Sequence, residues 1–132
     1  MEKSNAKVYS YLKFHSEKNR KTVIVHSPQA RDYARQLEEA TWVKNYSTCY
    51  PLEAEGLPHV NPVGIRSSYF ETKWTSDFFI QYADGRRGIR ELATRGQLRK
   101  LANIERLELS RRYWAAMGID DWAIVLVPEK VW

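Results

Sequence analysis

Apolar positions follow three different spacings along this chain, and each change of spacing marks an element. Lys21-Thr22-Val23-Ile24-Val25 is a β-branched run of strand length. Next, Ala30, Tyr33, Ala34 and Leu37 recur at i, i+3, i+4, i+7, the spacing of one buried helix face. Ser27 is a good N-cap and Pro28 suits the first helical position, so a helix of about three turns is expected. Residues 42–53, rich in aromatic and β-branched side chains, read as a strand, and 54–64, with Gly56, Pro58, Pro62 and Gly64, as a loop. Residues 66–74 and 77–83 read as two more strands with a kink near Thr75-Ser76. Asp84-Gly85 is a hairpin turn, and 88–93 returns as the next strand. Beyond Thr94, Leu98, Leu101, Ile104 and Leu107, with Tyr113 and Met117, space out as a long helix stopped by Gly118. Residues 122–127 form a continuous apolar run, which predicts a strand covered on both faces. The expected order is β, α, β, β, β, β, α, β, an α/β fold with a mixed sheet flanked by helices.

Composition narrows the setting. A chain of 132 residues with 43% hydrophobic and 28% charged residues fits a single domain with a real core. No apolar run approaches the roughly 18 residues of a membrane span, and the N-terminus is too polar for a signal-peptide core. Cys49 is the only cysteine, which excludes an internal disulfide, and with three scattered histidines it makes no zinc site. A cytoplasmic protein is the natural reading.

The net charge is +5, and its placement is uneven. Residues 1–22 carry six Lys/Arg against two Glu, and residues 83–100 carry six against Asp84 and Glu91. Two basic clusters on a small domain suit a polyanion, because each neutralised phosphate releases counterions, although an unevenly charged solvated surface reads the same way. The candidates for DNA contact are Lys13, Lys18, Arg20, Lys21, Arg95, Arg99 and Lys100. Residues 1–20 read as a basic arm and 21–132 as the folded domain.

The hairpin at 75–94 carries the candidate chemistry. Asp77 and Glu91 place a carboxylate on each of two adjacent strands, an arrangement that holds a divalent metal in many nucleases. Such a site ordinarily ends in Glu-x-Lys, and here the last position is Ala93.

Several pieces together resemble the N-terminal catalytic domain of TnsA-like endonuclease subunits of heteromeric cut-and-paste transposases, which has the PD-(D/E)xK nuclease fold. YLKFHSEKNRKTVIVHS looks like that family's lead-in to a strand and a Ser-capped helix. RDYARQLEEATWVKNY is similar to the helix and strand that follow, and TSDFFIQYADGRRGIREL to the metal-binding hairpin. The long helix and WAIVLV close the unit. The resemblance runs from about Tyr11 and implies a restriction-endonuclease-like single domain that cleaves one DNA strand at transposon ends with Mg2+. It also implies a partner transposase and an ATPase regulator, and leaves out the C-terminal domain through which some members contact that regulator.

The departures lie in the catalytic set. The resemblance implies a metal-binding Glu at position 30 and a catalytic Lys at position 93; both are alanine here, compatible with natural loss and with deliberate replacement alike. Ser76 replaces the proline before Asp77, and Tyr50-Pro51 replaces Gln-Pro. Asp77 and Glu91 remain as the implied metal ligands. Losing a preorganised catalytic donor typically costs roughly 100- to 1000-fold in rate. Lys73, Arg90 and Arg95 are the nearest replacements for the lysine in sequence. Three readings follow: a DNA-end nuclease domain with lost catalysis, a structural subunit of the transposition complex, and an unrelated DNA-binding regulator.

Overall fold

A computed structural model describes residues 11–129. Its strands are β1 (Leu12–Ser16), β2 (Lys21–Val25), β3 (Val43–Pro51), β4 (Thr75–Tyr82), β5 (Arg87–Ala93) and β6 (Asp121–Leu126); its helices are α1 (Pro28–Glu39) and α2 (Leu101–Ala116). β1 and β2 form a separate antiparallel pair. The main sheet runs β3-β4-β5-β6, antiparallel except for β5 and β6, which α2 joins as a parallel pair. This is a mixed α/β unit with helices on both faces of its sheet, consistent with the expected restriction-endonuclease-like class.

α1 forms as its sequence predicts. Ser27 Oγ accepts from Ala30 N at 3.0 Å, satisfying one orphan donor of the first turn. Ala30, Ala34 and Leu37 are buried against Val25, Val43, Tyr46, Phe78, Ile80 and Tyr82. Small residues at 30 and 34 let the helix lie close to the sheet, and Tyr33 meets Phe78 edge-on at 5.0 Å. On the other face, Leu109, Tyr113 and Trp114 of α2 pack with Phe79, Ile89, Leu52 and Leu57.

Four expectations are corrected. The stretch read as part of a basic arm contains β1, paired with β2 from Leu12↔Val25 to Ser16↔Lys21; residues 1–10 of that arm lie outside the described residues. Residues 66–74 are not a strand. Ser67–Glu71 is a 3-10 turn, because Tyr69 and Phe70 both turn inward instead of alternating, and Arg66 is tied to Glu105 at 2.9 Å. In α2, Leu101 and Ile104 are exposed, and the buried face includes the polar Glu105 and Ser110. β6 is an edge strand with Ile124 and Leu126 exposed, not a strand covered on both faces. Gly118, at φ +88°, does end the long helix as expected.

Alternation fails within β4. Ser76 faces α2, where its Oγ accepts from Trp114 Nε1 at 2.9 Å. Phe78, two residues on, belongs to the α1-side core, although the period of two would put both on one face. The strand therefore turns over at Asp77. Beside it, Cys49 of β3 sits at φ 51°, between the pairs Thr48↔Phe78 and Tyr50↔Ser76. This local irregularity is what opens the sheet surface at the candidate site.

Candidate active-site pocket

A pocket of about 340 Å³ opens where α1 begins, where β4 turns over and where α2 crosses the sheet; Ala30, Cys49, Asp77, Leu92, Gln97 and Arg106 are among its walls. The structure thus brings Ala30 and Asp77 together, as the resemblance implies, with the Ala30 methyl where a carboxylate was expected.

Asp77 is held by the neighbouring strand: Leu92 N donates to its Oδ2 at 2.7 Å, leaving Oδ1 for the pocket. Burial raises its carboxyl above the ordinary range, against the lowering pull of the Leu92 N–H, Arg106 and His26. Glu91 behaves differently. It is 1% exposed, and its Oε2 accepts from Ser76 Oγ at 2.5 Å and Ser110 Oγ at 2.6 Å. Its Oε1 accepts from Asp77 N at 3.3 Å. Burial and the charge of Asp77 raise its pKa, while the two serines and Arg106 oppose the shift. The carboxylate lies behind the Asp77 backbone, turned toward α2. Ala93 is 2% exposed and outside the pocket; its neighbour Leu92 lines it instead.

None of the three basic residues nearest in sequence takes the lysine's place in the pocket. Lys73 lines a separate groove beside Trp74. Arg90 is bound to Asp121 at 3.0 Å and to Tyr82 Oη at 3.0 Å. Arg95 is exposed and is not among the pocket walls. The cation that does stand there is Arg106, from α2, with its guanidinium 4.0 Å from Glu91 Oε1. Sequence reading missed it because no hydrophobic period distinguishes Arg106 from the other arginines of that helix.

A divalent ion needs several oxygens converging on one point. Asp77 supplies one free oxygen, Glu91 is committed to two serines, position 30 supplies none, and a guanidinium stands close by. Among the described residues, no group of three or more His, Cys, Asp or Glu side chains converges to hold a metal ion. This donor set does not fit Mg2+.

The residues proposed for DNA contact divide in the same way. Lys13, Arg20, Lys21, Arg95, Arg99 and Lys100 are exposed. Lys18 is engaged inside the fold: its Nζ donates to Ala40 O at 2.5 Å, just past the end of α1, and to Val43 O. Glu38 completes that clasp, accepting from Ser16 Oγ, from Tyr46 Oη at 2.5 Å and from Lys18 N at 3.3 Å.

Compared with known families, residues 41–126 match the model described as TnsA-like endonuclease N terminal. No curated protein matches the chain.

Proposed function

Because that match covers more than half of it, the chain belongs to the TnsA-like endonuclease N-terminal family, and we propose that it serves at transposon ends as a DNA-binding subunit whose own strand cleavage has been lost. The observation that carries this reading is the pocket itself. It sits at the hairpin and helix start where the family resemblance implies cleavage, yet positions 30 and 93 are alanine, Glu91 is buried, and the cation at the pocket is Arg106, outside the implied catalytic positions. The partners are then double-stranded DNA, a transposase that makes the cut and an ATPase regulator. The exposed basic residues on the β1–β2 hairpin and on the 95–100 segment support such a role; among the described residues no helix is long and apolar enough to cross a membrane. A cytoplasmic setting accords with such partners.

The test is a nicking assay on transposon-end DNA with Mg2+ or Mn2+, with and without the partner transposase. The chain is expected to leave its strand intact. Ala30→Glu combined with Ala93→Lys is expected to leave it intact too, because position 93 lies outside the pocket, Glu91 stays bound to Ser76 and Ser110, and Arg106 remains in place. Metal-dependent nicking by the unmodified chain would overturn the loss of cleavage.

A further inference from the structure

Building on the DNA-end reading above, we propose that the pocket seats a DNA backbone phosphate directly, with Arg106 supplying the positive charge and no divalent ion between them. Arg106 projects from the second turn of α2 into the pocket wall, its side chain 25% exposed. Its nearest carboxylate oxygen, Glu91 Oε1, is 4.0 Å away, beyond hydrogen-bond length. Other arginines around α2 are committed: Arg66 to Glu105 at 2.9 Å, Arg112 to Glu108 at 2.7 Å and Arg90 to Asp121 at 3.0 Å. Arg106 instead rests over Trp74, with 6.0 Å between guanidinium and ring centroid, and its fork of N–H donors is left for a ligand.

The carboxylates do not need that fork. Glu91 already accepts from two hydroxyls and a backbone N–H, and Asp77 from Leu92 N. Further donors line the same wall. Gln97 Oε1 accepts from Thr94 N at 2.9 Å, which leaves its amide Nε2 to donate, and His26 stands across the opening. A guanidinium repels a divalent cation and matches two oxygens of a phosphodiester in a bidentate pair. Arg95, Arg99 and Lys100 are exposed on the segment that carries Gln97, placed for the neighbouring phosphates.

Asp77 gives the proposal a sign that separates it from a metal site. Where a carboxylate holds a metal that bridges to phosphate, neutralising it weakens binding in the presence of the ion. Where phosphate meets the guanidinium directly, neutralising Asp77 removes a repulsion and tightens binding. The experiment is fluorescence anisotropy of a labelled transposon-end duplex across a salt series, in EDTA and in Mg2+, with thermal midpoints for every variant. Arg106→Gln should weaken binding about 5- to 10-fold near 0.1 M salt and lower the log–log salt slope by about one unit, whereas Arg106→Lys should keep most of the slope. Asp77→Asn should tighten binding about 2- to 5-fold in both EDTA and Mg2+, and it decides the matter if Arg106→Gln proves unstable. Binding by the unmodified chain with an Arg106→Gln slope unchanged would place the phosphate elsewhere and overturn the proposal while leaving the DNA-end reading intact. Mg2+-dependent binding abolished by Asp77→Asn would replace it with a metal site. Absence of duplex binding by the unmodified chain would overturn both.

Discussion

Glu91 is the residue at which chain chemistry and fold diverge most. As a letter it looks like half of a metal site; in the fold it is a buried acid fastened by Ser76 and Ser110. Its folded pKa is raised, chiefly by burial, so the unfolded chain gives up this proton at lower pH than the native one does. Stability from this group is therefore fully present below the ordinary carboxylate pKa and declines as pH rises through the folded value. Glu91→Gln, which stays neutral, should accordingly raise the thermal midpoint at pH 7 and change it less near pH 3.5. An equal shift at both pH values would mean that packing, not ionisation, separates the two proteins. Ala30 was joined to Asp77 in the sequence only through the family resemblance, and both line the pocket. Arg106 was not readable there, because its place depends on how α2 crosses the sheet. That Asp77 and Glu91 turn to different sides was not readable either, because period-two counting assumes a regular strand and β4 turns over at Asp77.

Among the elements, α1, the Asp84-Gly85 hairpin and the four strands of the main sheet were readable from periodicity and turn chemistry. The misses have separate causes. Aromatic residues in 66–74 suggested a strand, but long-range docking against α2 claimed them for a 3-10 turn. In α2, the buried stripe carries Glu105 and Ser110, matched by Arg66 and Glu91, and a polar stripe leaves no trace in an apolar spacing count. β1 was overlooked because its lysine and histidine face outward while only Ser16 is fully buried. Its junction with α1 makes a prediction at this scale. Lys18→Met removes the donors to Ala40 O and Val43 O and should cost about 1–2 kcal/mol in denaturant unfolding, with no change in the salt slope of DNA binding. Lys21→Gln should do the reverse, lowering the slope by about one unit at constant stability. If Lys18→Met alters the slope and spares stability, the clasp is not structural.

Taken whole, the molecule has two cores on opposite faces of one sheet, and the N-terminal hairpin and α1 cover one of them. The mixed α/β class was legible because period, turn and cap signals agree along most of the chain. The integration of residues 12–25 was not, because it rests on contacts with α1, its C-terminal end and β3 made across more than twenty residues of sequence. The Glu38–Lys18 clasp has a consequence for where the domain can be cut. The family match starts at residue 41, yet a fragment of 41–126 would lose α1 and the hairpin, exposing Val43, Tyr46, Phe78, Ile80 and Tyr82 together. Such a fragment should give no cooperative melt, whereas 11–129 should melt as one unit. The stretch in which common ancestry is still detectable is thus shorter than the stretch that must fold together, and a search for equivalents of this protein, or a graft of its hairpin into a relative, has to carry the clasp along with the recognisable segment.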